Sequence, residues 1–184
     1  MRRLLFVTGL CSLFFFNAVA QPASTPAPAA DVLAAALKTA GQQKKNVLLM
    51  FHASWCGWCH RMDTSLNDPK VKPFFDKSYV ITHLVVHESD AKKNLENPGA
   101  EEMKEKYHGK GQGIPFWLVF DPQGNLIADS RIRAEGQGPE EGENCGCPAL
   151  EKEVSYFISV LKKSSSISDE ALEIIRKRFR ENDH

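Results

Sequence analysis

Two spacings of apolar residues divide this chain. A short unbroken apolar run at residues 47–51 has the length of a buried strand, and residues 79–86, rich in β-branched residues and apolar apart from Thr82 and His83, read as a second strand. Two more runs, 116–120 and 126–132, flank Asp121-Pro122-Gln123-Gly124-Asn125, a turn sequence of the kind that joins antiparallel strands. Elsewhere apolar residues recur every three or four positions. Leu33, Ala36, Leu37 and Ala40 make one face of a first helix, with Asp31 placed to cap it and Gly41 placed to end it. A helix beginning near Cys56 follows the first strand, and a polar helix over roughly residues 100–107 follows Asn97-Pro98-Gly99. Two helices, at roughly 150–162 and 169–180, finish the chain, and the second carries an apolar stripe of Leu172, Ile175 and Phe179. Between them and the last strand lies a Gly- and Glu-rich loop, residues 133–149, with no predicted element of its own. There is no internal repeat, and the order of elements predicts an α/β domain.

The N-terminus has a different pattern. Arg2-Arg3, an apolar stretch over residues 4–16 and the small-x-small sequence Ala18-Val19-Ala20 read as a signal peptide over 1–20. The apolar stretch is too short to span a membrane, so no span is expected after cleavage. A flexible Pro/Ala-rich tether follows at 21–30, then a domain at 31–163 and a C-terminal helical extension at 164–184. These features predict a periplasmic or secreted protein. With 23 basic and 23 acidic residues the whole chain carries no net charge, and loss of the leader removes Arg2 and Arg3 but no acid. That balance suggests neither nucleic acid nor an anionic membrane as a partner. Cys11 is expected to leave with the leader, which keeps Cys56, Cys59, Cys145 and Cys147.

The chemistry concentrates in Trp55-Cys56-Gly57-Trp58-Cys59-His60, directly after the first apolar run. At a helix N-terminus, unpaired backbone N–H groups and the helix dipole favour a thiolate over a thiol. Cys59 stands one turn later on the same side, within reach of a disulfide with Cys56. An exposed nucleophilic sulfur beside a more buried resolving sulfur is the arrangement that thiol–disulfide exchange requires.

The order of strand, Trp55-Cys56-Gly57-Trp58-Cys59, Gly113-Ile114-Pro115 and a hairpin turn at Gly124 resembles the thioredoxin superfamily over roughly residues 31–161. The resemblance implies a central mixed β-sheet flanked by helices, with the last helix as an addition. It implies that Pro115 is a cis-proline facing the cysteines, with the backbone of Ile114 open to an extended substrate and Trp55 and Trp58 forming an apolar docking rim. It also implies disulfide chemistry without a bound cofactor or metal, on disulfide-containing protein substrates; in an oxidising compartment a reductase or isomerase would need a membrane electron donor, and an oxidase an electron acceptor. Gly57-Trp58 between the cysteines favours reductase or isomerase over oxidase. The chain departs from the family pattern at Met50, where the family's cytosolic reductases carry a buried carboxylate, so His60 and His83 become the candidates for proton transfer and His52 reads as a packing residue. A second departure is Cys145-Gly146-Cys147, which reads either as an auxiliary redox pair that closes a small strained disulfide or as a staple of its loop.

Two rival classes share these residues. Cys56-Gly57-Trp58-Cys59-His60 is also a literal attachment motif for c-type haem, although its strand-and-hairpin context is foreign to small helical haem carriers. A zinc or copper(I) module built on the two cysteine pairs and His60 is the other, and nothing in the spacing brings the pairs together.

Overall fold

The computed structural model describes residues 25–183. The proposed leader and the first residues of the tether lie outside the described residues. The chain runs through α1 (Ala29–Gln43), β1 (Asn46–His52), α2 (Gly57–Leu66), α3 (Lys72–Ser78), β2 (Tyr79–Val85), a 3₁₀ turn at Asp90–Leu95 and α4 (Ala100–Lys106). It continues with β3 (Phe116–Phe120), β4 (Leu126–Asp129), β5 (Arg131–Ile132), β6 (Glu143–Asn144), α5 (Glu151–Ser164) and α6 (Asp169–Arg180). The main sheet has four strands in the order β2-β1-β3-β4. β1 is parallel to β2 and antiparallel to β3, and β3 is antiparallel to β4.

Because successive side chains of a strand point to opposite faces, the apolar run of β1 supplies two cores at once. Val47, Leu49 and Phe51 join Leu84, Phe116, Leu118 and Phe120 beneath α1 and α4. Leu48 and Met50 join Tyr79, Trp117 and Val119 on the other face, against Met62 and Leu66 of α2, Phe75 of α3 and the inner sides of α5 and α6. Leu172, Ile175 and Phe179 of α6 are fully part of this second core, and the Phe179 ring lies 4.9 Å from that of Phe157 and 6.3 Å from that of Phe75. The C-terminal helix therefore packs within the chain. Among the described residues no helix is long and apolar enough to cross a membrane.

The structure corrects several boundaries. α1 begins at Ala29, inside the expected tether, with Asp31 in its first turn rather than at its cap. It also runs through Gly41 and ends only at Lys44, which takes the left-handed conformation and donates its N–H to the Ala40 carbonyl. A glycine inside a helix costs only about 1 kcal/mol, less than burial of Ala36 and Ala40 returns. α3 was not predicted: it is seven residues long, with Pro73 as its second residue, and is too short to show a period. The expected strand at 126–132 is broken at Ser130, after which β5 leaves the main sheet and pairs with β6. The loop at 133–149 thus contains a strand of its own. The break is held by Asp129, whose carboxylate accepts hydrogen bonds from Arg131 N–H (2.8 Å) and from the guanidinium groups of Arg131 (3.0 Å) and Arg133 (2.6 Å). Burial pushes this carboxyl upward, but the hydrogen bonds from Arg133 and Arg131 outweigh it and hold the group below the ordinary carboxylate range.

Because α6 completes the second core, Phe179→Ala should lower unfolding free energy by about 3–5 kcal/mol in urea denaturation. A loss below about 1 kcal/mol would contradict the packing described for α6.

Candidate active site

β1 delivers the cysteine motif and then stops. His52 closes the strand, Ala53 packs on both cysteines, and Ser54-Trp55 make the turn into α2. Cys56 occupies the N-cap of α2, where its sulfur accepts the Cys59 backbone N–H at 3.1 Å. That N–H is one of the donors that a helix start leaves unpaired. Cys56 and Cys59 are joined as a disulfide with their α-carbons 5.2 Å apart. Both residues are almost fully covered, at 3% and 1% exposure. The expected exposed sulfur is therefore not seen in this oxidised state, because Ala53 and Ile114 pack over the pair.

The turn is braced from the segment after β2. Glu88, a buried acid, accepts from the Ser54 N–H at 2.5 Å and from the Ser54 hydroxyl at 2.9 Å. Lys92 reaches the same hydroxyl at 3.2 Å, and the Trp55 indole donates to the His87 carbonyl at 2.7 Å. Trp55 and Trp58 are the most exposed aromatic groups of the site, at 60% and 51%. The Arg61 guanidinium sits 4.8 Å from the centre of the Trp58 ring. Sequence reading missed Glu88, and the only signal it left was an acid immediately behind an apolar strand.

The second wall is the loop ahead of β3. The Ile114–Pro115 peptide bond is cis, and Cys56 Sγ lies 3.6 Å from the Ile114 carbonyl oxygen. The carbonyls on either side of Ile114 are both engaged by one side chain: Asn144 Nδ2 donates to Gly113 O at 2.9 Å and to Pro115 O at 3.1 Å. Trp117 donates its indole N–H to the Gly146 carbonyl at 3.0 Å, which ties the loop around β6 to β3. Between these groups lies a cavity of about 570 Å³, lined among others by Trp58, Ile114, Pro115, Gly146 and Leu150.

The remaining sequence candidates fall in different places. Cys145 and Cys147 line the same cavity, yet they are free thiols, only 6% and 5% exposed, not a strained disulfide at the surface. Burial pushes both thiols up, Cys145 beyond the range of ordinary titration and Cys147 to about 12. Cys147 Sγ receives a hydrogen bond at 3.5 Å from Asn182, a buried residue whose carbonyl also accepts from Arg61. His60 Nε2 is bonded to the Ser54 carbonyl at 2.9 Å. His83 Nε2 is bonded to Asp63 Oδ1 at 2.9 Å, and its ring centroid lies 4.8 Å from that of His52. Met50 is buried on β1, between His83 of β2 and Trp117 of β3. The haem reading needs both sulfurs and the His60 ring, all of which are engaged as described. Among the described residues there is no group of three or more His, Cys, Asp or Glu side chains arranged to hold a metal ion.

The chain is similar to a disulphide isomerase from Xylella fastidiosa Temecula1, with 22% identity, 91% of this chain and 100% of that chain covered, and a TM-score of 0.49. It is similar to a DsbH oxidoreductase at 24% identity, 82% and 93% coverage and a TM-score of 0.41. The oxidised C-terminal domain of DsbD from Neisseria meningitidis is 23% identical, with 58% and 84% coverage and a TM-score of 0.41. No curated protein sequence matches the chain. A family model described as thioredoxin-like matches residues 29–122, just over half of the chain and the part that carries β1, the cysteine motif and β3. With the sheet order, the disulfide at the start of α2 and the cis-proline loop beside it, this match identifies the chain as a member of the thioredoxin-like family.

Proposed function

We propose that the protein is an exported thiol–disulfide oxidoreductase that reduces or isomerises disulfides in extracytoplasmic proteins. The observation that carries this reading is the Cys56–Cys59 disulfide at the N-terminus of α2, with Cys56 Sγ set against the Ile114 carbonyl. In the reduced protein a negative sulfur at Cys56 is favoured by the helix N-terminus and by the Cys59 N–H already aimed at it. Cys56 attacks a substrate disulfide, one substrate sulfur leaves as a thiolate, and a mixed disulfide forms; Cys59 then attacks Cys56 Sγ, releases the second substrate sulfur and restores the Cys56–Cys59 bond. No cofactor enters these steps. Asn144 holds the carbonyls flanking Ile114, which presents the Ile114 backbone to an extended substrate, while Trp55 and Trp58 offer exposed apolar area at the rim.

The N-terminal sequence supports export through residues 1–20, followed by the tether at 21–30, one domain over 31–163 and the helical extension at 164–184. In an oxidising compartment a dithiol persists only if electrons are supplied, so the reductase or isomerase reading includes a membrane electron donor. Between the cysteines, Gly57-Trp58 lacks the histidine common in the stronger oxidases, and the reading leans to this direction although the proline common in reductases is also missing.

Cys145 and Cys147 serve this site by packing. Their burial keeps them protonated at neutral pH, and a protonated thiol is a poor nucleophile. This favours the loop-ordering role over the auxiliary redox role.

Cys56→Ser should abolish reduction of a protein disulfide such as that of insulin, and Cys59→Ser should accumulate mixed disulfides visible on non-reducing gels. Full turnover by Cys56→Ser would sink the assignment. The Cys145→Ala/Cys147→Ala variant should keep at least about half of parental turnover while losing about 1 kcal/mol of stability per removed thiol. Loss of turnover with stability unchanged would instead give the pair a redox role.

A further inference from the structure

Met50 is apolar and buried, and the structure brings a titratable group, His52, to the same face of β1. His52 follows Met50 by two residues, so its side chain points to the same side of the sheet, toward α2. Its neighbour Ala53 packs on both cysteines. Asp63 lies one helical turn beyond Cys59 on α2 and accepts from His83, whose ring leans on that of His52. His83 and Asp63 are each about 30% exposed and line a cavity of about 300 Å³ open to solvent.

The other ionisable groups around the cysteine turn are already engaged. Both oxygens of Glu88 are taken by Ser54, His60 Nε2 by the Ser54 carbonyl and His83 Nε2 by Asp63. His52 Nδ1, by contrast, is shielded from solvent and has no hydrogen-bond partner among the described residues. A buried polar atom without a partner is uncommon and points to a role outside the resting state.

We propose that His52, backed by His83 and Asp63, takes up the proton that Cys59 releases when it attacks the mixed disulfide. The proposal rests on the exchange chemistry assigned to Cys56 and Cys59. The Cys59 thiol gives its proton to the neutral imidazole, the Cys59–Cys56 bond forms, and the bond between Cys56 and the substrate sulfur breaks. The departing substrate thiolate carries the electron pair, and the His52 proton is then lost to water. The cysteine pair is oxidised by two electrons and the substrate disulfide is reduced by two. Burial and the nearby His83 hold the His52 imidazole below its ordinary value of 6.5; Asp63 opposes that effect, His60 adds to it, and Glu88 opposes it. The ring is therefore neutral and able to accept a proton at pH 7. No hydrogen bond joins His52 to either sulfur in the oxidised state, so its test must read protonation as well as rate.

The test uses the reduced full chain and Ellman's reagent. The first release of thionitrobenzoate reports attack by Cys56 and the second reports attack by Cys59, followed by stopped flow between about pH 5 and 8. The parent's second phase should slow below an inflection that lies under 6.5. His52→Gln should remove that inflection and slow the second phase at pH 7 on the order of ten- to a hundredfold, with the first phase unchanged. His83→Gln should move the inflection without removing it. A His52→Gln protein that keeps both inflection and rate overturns the proposal. Should that variant not fold, the parent's His52 ring is titrated by NMR in both redox states. A midpoint that differs between oxidised and reduced protein supports the proposal, and one that does not move overturns it. Absence of the first release would overturn the exchange reading together with this one, and is told apart by that missing phase.

Discussion

The register of β1 between β2 and β3 is the constraint on which the site depends. Phe51 stands opposite Phe116, so the chain leaving β1 and the chain entering β3 meet at the same edge of the sheet. The cysteine turn leaves there, and the Ile114–Pro115 loop arrives there. On the other side His52 stands opposite Val85, and Val86 N–H donates to the His52 carbonyl at 2.9 Å. This carries Glu88 beneath Ser54. Both walls of the site and its main brace are thus consequences of one strand being paired on two sides. A slip of one residue in either pairing would turn every side chain of β1 to the opposite core, and the burial of Leu48, Leu49, Met50 and Phe51 opposes it strongly.

What the register sets, polar groups then hold. Glu88 replaces water for the backbone N–H of Ser54, and Asn144 does the same for two carbonyls of the cis-proline loop. Asp129 folds the chain away from the main sheet, so that β5 and β6 can bring Asn144 to that loop. Asn182, beyond α6, is bonded to α2 through Arg61 and Ser65 and to the cysteine-containing loop through Cys147 and Pro148. Apart from the local bond of Asp129, each contact joins segments distant in sequence, and together they keep the α2 N-terminus and the cis-proline loop at a fixed separation.

The parts of this arrangement legible in the sequence were those with a local signature. The strands of the main sheet, the Cys-x-x-Cys pair at a helix start and the Gly-Ile-Pro loop all announce themselves within a few residues. Glu88, Asn144 and the pairing of His52 with His83 do not, since each acquires its meaning only when distant segments are brought side by side. The Cys145-Gly146-Cys147 spacing left an auxiliary redox pair and a loop staple both open, and the burial that pushes both thiols up is not encoded in that spacing. α3 and β6 were missed because seven and two residues are too few to show a period.

The central claim is that the fold singles out one of the four cysteines among the described residues as the nucleophile. After full reduction, a time course of iodoacetamide alkylation at neutral pH, read by peptide mass spectrometry, tests it most directly. Cys56 should be modified first and by a wide margin, with Cys59 following slowly and Cys145 and Cys147 only on unfolding. Modification of Cys145 or Cys147 before Cys56, or equal rates at all four, would contradict the account.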